Sequence, residues 1–264
     1  MSKPRAIVLL AAGINCDKET EYAFEFAGAE AKRVHINDLI TKRENLADYQ
    51  ILVIPGGFSF GDDIASGKVL ANKLKYRLEE EVARFVEDKK LVLGICNGFQ
   101  VMAKLGILPA LDGNYQQQQV TLTFNDSSKF EDRWVYLKPV DSKCVFTKGL
   151  EEKLTYLPVR HGEGKFVPAN KEVLERLYRN GQIVFQYANR EGNLADYPAN
   201  PNGSVDGIAG ICDERGLVFG LMPHPEGYIT KTQHPRWTRE SLPQEGDGIA
   251  IFKNAVNYAR ENLF

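Results

Sequence analysis

The chain has 264 residues, of which 43% are hydrophobic, and its formal net charge at pH 7 is −2. A chain of this length can bury a sizeable core, so we expect a single domain over residues 1–264. The near-zero charge and the scattered Lys and Arg residues argue against binding to nucleic acid. No apolar run has the length of a membrane span or the form of a signal peptide, so we expect no association with membranes.

Strand and helix patterns alternate through the first part of the chain. Strands are predicted at residues 6–11, 31–34, 51–54 and 91–95, and a helix is predicted at 19–27. The third and fourth strands are continuous apolar runs, as expected for parallel strands covered on both faces. Between them, apolar residues recur at helical spacing, namely Leu74, Leu78, Val82, Phe85 and Val86. This alternation predicts an α/β fold with a doubly wound, mostly parallel sheet flanked by helices.

The later part of the chain has a more β-like pattern. Apolar and β-branched residues dominate residues 119–137, 183–187, 207–212 and 217–221. A final helix is predicted at 249–261, with Ile249, Phe252, Val256 and Ala259 on one face. We therefore expect an additional β-rich portion beside the doubly wound sheet, with no linker between them.

The segment LVLGICNGFQ, residues 91–100, has the G-x-C-x-G spacing of a nucleophile elbow. In such an elbow a strand turns sharply into a helix, and small residues at Gly94 and Gly98 keep Cβ atoms out of the crowded turn. The thiol of Cys96 would stand at the N-terminus of the next helix, which favours thiolate. The backbone N–H of Asn97 would face an oxyanion. A lone cysteine in an apolar run is otherwise a small core residue.

A candidate base follows the β-like run at 217–221, in the segment MPHPEG. Pro223 and Pro225 flank His224 and predict an extended segment rather than a helix. Side chains alternate in an extended segment, so His224 and Glu226 would face the same way. A carboxylate beside an imidazole fixes its tautomer, which predicts a Cys96–His224–Glu226 triad.

A glycine pair follows the predicted strand at 51–54, in the segment ILVIPGGFSFGDD. Backbone N–H groups there could point into a site without obstruction by Cβ atoms. We interpret Gly57 and Phe58 as the second oxyanion donor region. The alternative interpretation is a tight turn without a catalytic role.

Together, these motifs resemble class I, triad-type glutamine amidotransferases, whose fold is flavodoxin-like. Further segments resemble the glutaminase subunits of phosphoribosylformylglycinamidine synthases, and the resemblance extends over almost the whole chain. These segments are AAGINCDKET, GGFSFGDDIASG, NDSSKFEDRWVYL, HGEGKF, NPNGSVDGIAGI and GLMPHPEG.

The resemblance implies that the chain hydrolyses glutamine and passes ammonia to a large synthetase subunit, often bridged by a small third subunit. The synthetase would use ATP and magnesium to convert formylglycinamide ribonucleotide into formylglycinamidine ribonucleotide in purine biosynthesis, and no cofactor is expected in this chain. Gln100 would contact the substrate glutamine. His161 and Glu163 alternate with glycines and could be an alternative base pair. The resemblance instead places them in a loop beside the site or at a partner face, and we favour the partner face over a plain polar turn.

Three alternatives remain open at this stage. The chain could serve another amidotransferase, such as one that makes GTP, CTP or carbamoyl phosphate. It could be a stand-alone cysteine hydrolase of the same fold, or a non-catalytic interaction protein.

The four cysteines show no C-x-x-C pair and no metal-like spacing, so we expect no metal site. Free thiols indicate a cytoplasmic location.

Overall fold

The computed structural model describes residues 3–264. The strands in this range are β1 Arg5–Leu10, β2 Glu30–His35, β3 Ile51–Ile54, β4 Leu91–Ile95, β5 Val120–Thr123, β6 Glu131–Pro139, β7 Thr155–His161, β8 Lys165–Pro168, β9 Ile183–Ala188, β10 Ile208–Cys212 and β11 Val218–Leu221. The α-helices are α1 Asp17–Phe26, α2 Ile36–Ile40, α3 Lys68–Arg77, α4 Glu79–Glu87, α5 Asn97–Leu105, α6 Lys171–Arg179 and α7 Ile249–Asn262. Within residues 3–264, no helix is both long enough and apolar enough to cross a membrane.

Nine strands form one sheet in the order β2-β1-β3-β4-β11-β10-β9-β6-β7. The first five are parallel to their neighbours, and the pairs from β11 onward are antiparallel. Strands β5 and β8 form a separate antiparallel pair. Helix α1 packs with α7 and α3 packs with α5 around the sheet. The predicted doubly wound α/β fold with an additional β-rich portion is confirmed.

The central parallel strands are covered on both faces, as their apolar runs predict. Every residue of β3 and β4 is buried. The four α7 residues predicted to share an apolar face are also buried, and one of them, Phe252, meets Phe24 edge-on with 5.0 Å between ring centroids. Burial of these apolar side chains, at about 25 cal/mol per Å² of area removed from water, holds the helices on the sheet.

Three loops converge at one edge of the parallel half because β3, β4 and β11 are neighbours in the sheet. In parallel register Ile95 pairs with Leu221, so the chain leaves β4 and β11 at the same level. The carboxyl ends of parallel strands are where open α/β sheets bind their ligands. The glycine pair, the elbow thiol and His224 all follow these strand ends.

The apolar spacing between β3 and β4 belongs to two helices rather than one. Leu78 separates α3 from α4 with φ −141° and ψ 22°, and its side chain is only 2% exposed. Helix α4 begins with Glu79, Glu80 and Glu81, a composition that stabilises a helix N-terminus. Apolar residues keep their helical spacing across the break because Leu78 is buried with both helices. The spacing alone therefore does not show where α3 ends and α4 begins.

Strand β7 was not predicted, and its position explains why. It is the last strand in the sheet order and contains Pro158. A proline cannot donate to a strand ladder and is tolerated mainly at sheet edges. The segment 227–248 covers this region, because the ring of His234 lies 5.6 Å from that of Trp134 on β6 and 5.6 Å from that of Tyr156 on β7. His234 therefore has a structural role.

Candidate active site

The elbow geometry is present at Cys96. This residue joins β4 to α5 with φ 50° and ψ −104°, a conformation that costs a non-glycine residue about 1–3 kcal/mol. A Cβ atom on Gly94 would lie 2.2 Å from Met102 Sδ, and one on Gly98 would lie 1.8 Å from Ile54 O. Only glycine fits at these two positions, because the strands and the helix approach each other so closely. The turn holds the thiol at the N-terminus of α5.

We expect Gly98→Ala to destabilise the fold by about 3 kcal/mol or more, because the new methyl group would overlap a carbonyl oxygen of a buried strand. The urea midpoint of unfolding measures this loss. Gly162→Ala is the matched control, since its Cβ would meet nothing closer than Phe130 Cδ2 at 4.0 Å. Equal midpoints for the two variants would contradict the close packing at the elbow.

His224 and Glu226 are in contact, but not in the way the sequence predicts. Residues Pro225–Gly227 form a 3₁₀ turn with proline at its first position, rather than an extended segment. Proline at that position suits a helical turn because its missing N–H would have had no partner there. The turn brings His224 Nδ1 to 2.6 Å from Glu226 Oε1. Both residues are only 2% exposed.

The imidazole is tuned by its burial and by its neighbours. Burial alone would lower the pKa of His224, but the Glu226 carboxylate and then the sulfur atoms of Cys96 and Cys16 raise this pKa well above its ordinary value. The Cys96 thiol lies 3.6 Å from Arg160 O. The raised pKa favours a protonated imidazole, which is the form that can donate a proton to a leaving group.

The glycine-pair loop supplies fewer oxyanion donors than the sequence predicts. The N–H of Phe58 donates to Gly13 O at 2.8 Å, so the interpretation of Phe58 as a donor is wrong in this conformation. Its side chain instead lines the site and is 42% exposed. Gly57 has φ +146°, which glycine alone adopts readily. The N–H of Asn97 begins α5 and has no acceptor within the helix, so Gly57 and Asn97 are the two candidate donors.

The side chains of Asn97 and Gln100 tie the elbow to two loops. Asn97 Oδ1 accepts from the N–H of Ser59 at 3.2 Å, and its Nδ2 donates to Gln100 Oε1 at 2.9 Å. Gln100 Nε2 donates to Glu163 O at 2.6 Å. Both amide side chains are at most 3% exposed. They therefore hold the two loops at fixed positions around the thiol.

The loop of residues 161–164, HGEG, lies beside the site. The preferred placement of His161 at a partner face is therefore wrong. The side chain of His161 is 2% exposed and approaches Asn202 Nδ2 at 3.4 Å. Asn125 fixes the loop, since its Nδ2 donates to His161 O at 2.8 Å and its Oδ1 accepts from Gly164 N at 2.9 Å. Glu163 lines a cavity of about 140 Å³ together with Cys96 and Gln100.

Stability should fall in acid because burial lowers the pKa of His161 to about 3. The unfolded chain takes up this proton below a pH of about 6.5, whereas the folded chain remains neutral, so stability is lost as pH falls below 6.5. Between pH 7 and pH 5 this loss is about 2 kcal/mol. Urea unfolding at pH 7 and pH 5 should show a smaller loss of stability in His161→Asn than in wild type. The difference between the two losses removes the contribution of the titratable groups that both proteins share. Equal losses would contradict the lowered pKa of His161.

Cys16 is a site residue that the sequence analysis missed. It follows β1 in a loop and lines a cavity of about 280 Å³ with Cys96, Arg160 and His224. Burial raises the pKa of the Cys16 thiol, which keeps it protonated. Its position after the carboxyl end of a parallel strand was the available signal.

The fold and the site define a class of protein: an α/β enzyme with an elbow thiol and a buried histidine–carboxylate pair. Residues 3–259 match the family described as the CobB/CobQ-like glutamine amidotransferase domain. The chain belongs to this glutamine amidotransferase family.

Individual relatives match over nearly the full length. The chain is 49% identical to the phosphoribosylformylglycinamidine synthase subunit PurQ of Dehalococcoides mccartyi, over 99% of this chain and 100% of that relative. It is 45% identical to the PurQ subunit of Methanococcus maripaludis strain S2, over 97% of each chain. The solved structure of PurLQS from Thermotoga maritima shares 31% identity with a TM-score of 0.75, over 97% of this chain and 99% of that chain.

Proposed function

We propose that this chain is the glutaminase subunit of a phosphoribosylformylglycinamidine synthase. It would hydrolyse glutamine and supply the ammonia that converts formylglycinamide ribonucleotide into formylglycinamidine ribonucleotide. The observation that carries the proposal is the 49% identity to a PurQ subunit over 99% of this chain and 100% of that relative. The buried His224–Glu226 pair supports the chemistry, because His224 lines the same cavity as the elbow thiol.

In the first half of the reaction, His224 Nε2 holds the proton of the Cys96 thiol, so that the reacting pair is an imidazolium and a thiolate. The thiolate then attacks the side-chain amide carbon of glutamine and forms a carbon–sulfur bond. The N–H groups of Gly57 and Asn97 stabilise the oxyanion of the tetrahedral intermediate. The imidazolium of His224 protonates the amide nitrogen, the carbon–nitrogen bond breaks, and ammonia leaves.

In the second half, a water molecule hydrolyses the glutamyl thioester. His224 accepts a proton from this water, and the thiolate of Cys96 is released together with glutamate. Glu226 holds His224 in one tautomer through Nδ1 and stabilises the imidazolium in both halves. Gln100 contacts the substrate through the second N–H and the second lone pair of its side-chain amide, which its bonds to Glu163 O and Asn97 leave free.

Ammonia that escaped into solution would be wasted, so the chain should work with a synthetase. We propose that ATP and magnesium bind to the large synthetase subunit and that this chain uses no cofactor. A small bridging subunit would form part of the contact between this chain and the synthetase. The related structure from Thermotoga maritima is named as a PurLQS assembly. A cytoplasmic location would suit an enzyme that needs a free Cys96 thiol.

The test is release of glutamate from glutamine by the purified chain, alone and with the synthetase subunit, ATP and formylglycinamide ribonucleotide. We expect weak release by the chain alone and a clear rise with the complete mixture. A rise with the partner but without the ribonucleotide would point to another amidotransferase substrate. Activity that ignores the partner would leave a stand-alone hydrolase, and high turnover by the chain alone would contradict the expected weak release.

A further inference from the structure

Cys16 lies against the base of the triad, although no step of the proposed reaction uses it. One donor atom from each of Cys16, His224 and Glu226 lies within 4.8 Å of the other two. A Cβ atom on Gly56 would be 2.7 Å from His224 Cε1 and 3.3 Å from Cys16 Sγ, so the glycine lets the two side chains close around it. The N–H of Cys16 donates to Gly56 O at 3.2 Å and holds the loop in this position.

Two polar atoms of this cluster lack a partner. His224 Nε2 and Glu226 Oε2 are buried and make no hydrogen bond within residues 3–264, and both side chains are only 2% exposed. A buried polar atom without a partner costs free energy, so a ligand able to bond to it binds favourably. The proposed chemistry needs Nε2 for a proton, but it leaves the sulfur of Cys16 and the second oxygen of Glu226 unused.

We propose that Cys16, His224 and Glu226 form an inhibitory site for a thiophilic divalent cation, with Zn²⁺ as the fitting ion. Zinc takes sulfur, imidazole nitrogen and carboxylate oxygen at about 2.0–2.3 Å in tetrahedral geometry. Such ligands lie roughly 3–4 Å apart, so donor atoms already within 4.8 Å need only small side-chain movements. When the cation binds, the Cys16 thiol and the imidazolium of His224 each release one proton to solvent, which frees the sulfur and an imidazole nitrogen to coordinate it. A water molecule from the open cavity takes the fourth position.

Such a site escapes a search by sequence spacing. The expectation of no metal site rested on the lack of closely spaced cysteines, whereas these three donors come from the loops after β1 and β11. A cation on His224 occupies the base, so it stops proton transfer from Cys96. This inhibitory consequence rests on the proposed function, but binding of the cation does not.

The binding test titrates Zn²⁺ into the metal-free full chain by calorimetry, without glutamine. We expect about one bound ion in wild type, affinity at least about tenfold weaker in Cys16→Ser and Cys16→Ala, and unchanged affinity in Cys144→Ser, which removes a buried thiol outside the site. Replacement by Co²⁺ gives a second measurement, because cobalt–thiolate absorption should be present in wild type and absent in both Cys16 variants. Wild-type affinity in the Cys16 variants, or loss of binding in Cys144→Ser, would overturn the proposal.

Glutamate release with and without Zn²⁺ separates the two proposals. Each protein is compared with its own zinc-free activity, and we expect strong inhibition of wild type and at least about tenfold higher zinc tolerance in Cys16→Ser. If no protein releases glutamate but Zn²⁺ still binds through Cys16, the proposed function fails and the cation site stands. If zinc-free activity is present but Zn²⁺ inhibits Cys16→Ser as strongly as wild type, the site fails and the glutaminase stands.

Discussion

Cys96→Ala should lose glutamine hydrolysis by at least about 10⁴-fold, because the thiol at the elbow is the group that forms the thioester. Serine would be a less decisive replacement, since its hydroxyl could still attack weakly. The variant should fold normally, as alanine is smaller and the strained turn depends on Gly94 and Gly98 rather than on the thiol. Glutamate release in the presence of the synthetase subunit measures the loss.

Cys144→Ala is the matched control for this experiment. It removes a buried thiol that lies outside the cavities lined by Cys96, so we expect activity within about twofold of wild type. The complex should also use free ammonia in place of glutamine when it contains Cys96→Ala, because the synthetase is intact. Retained glutamine-dependent activity in Cys96→Ala would exclude this residue as the nucleophile.

Glu226→Gln should reduce kcat by about 10²–10⁴-fold while the protein remains folded. Glutamine has nearly the same shape but no charge, so it cannot stabilise the imidazolium of His224. The carboxylate is also a principal cause of the raised pKa of His224. Its loss therefore lowers this pKa, and the imidazolium that protonates the leaving nitrogen disappears at a lower pH. The alkaline limb of the pH–rate profile should shift toward lower pH.

An exposed carboxylate provides the control for the charge change. Glu261→Gln alters the same net charge near the end of α7, and its side chain is exposed, so its rate and pH profile should match wild type. A pH–rate profile of Glu226→Gln that keeps its alkaline limb in place would show that Glu226 does not set the pKa of His224. A rate near that of wild type would remove Glu226 from the triad.

The fold and the core of the site follow from short-range patterns. Apolar runs marked β3 and β4, and the glycine spacing around Cys96 marked the elbow, because both depend on neighbours in the chain. His224 and Glu226 were paired for a reason that proved wrong, since Pro225 begins a 3₁₀ turn instead of extending the segment. The contact survives because His224 itself stays extended, with φ −103° and ψ 94°, and the turn that follows folds Glu226 back against its ring.

The remaining features depend on contacts between distant segments. The N–H of Phe58 is taken by Gly13, and the loop of Cys16 reaches His224 only because β1, β3, β4 and β11 lie side by side. The burial of His161 depends on Asn125 and Asn202 in other loops. No local period or spacing in the sequence records these approaches.

The most direct test of the triad is covalent labelling by a chloromethyl ketone analogue of glutamine, followed by tryptic digestion and mass spectrometry. Two thiols in one cavity compete for this reagent, and they fall on different tryptic peptides: residues 91–104 carry Cys96 and residues 6–18 carry Cys16. We predict one label on peptide 91–104, protected by excess glutamine and greatly slowed in Glu226→Gln. A label on peptide 6–18 alone, or labelling that glutamine does not slow, would contradict Cys96 as the nucleophile of a glutaminase.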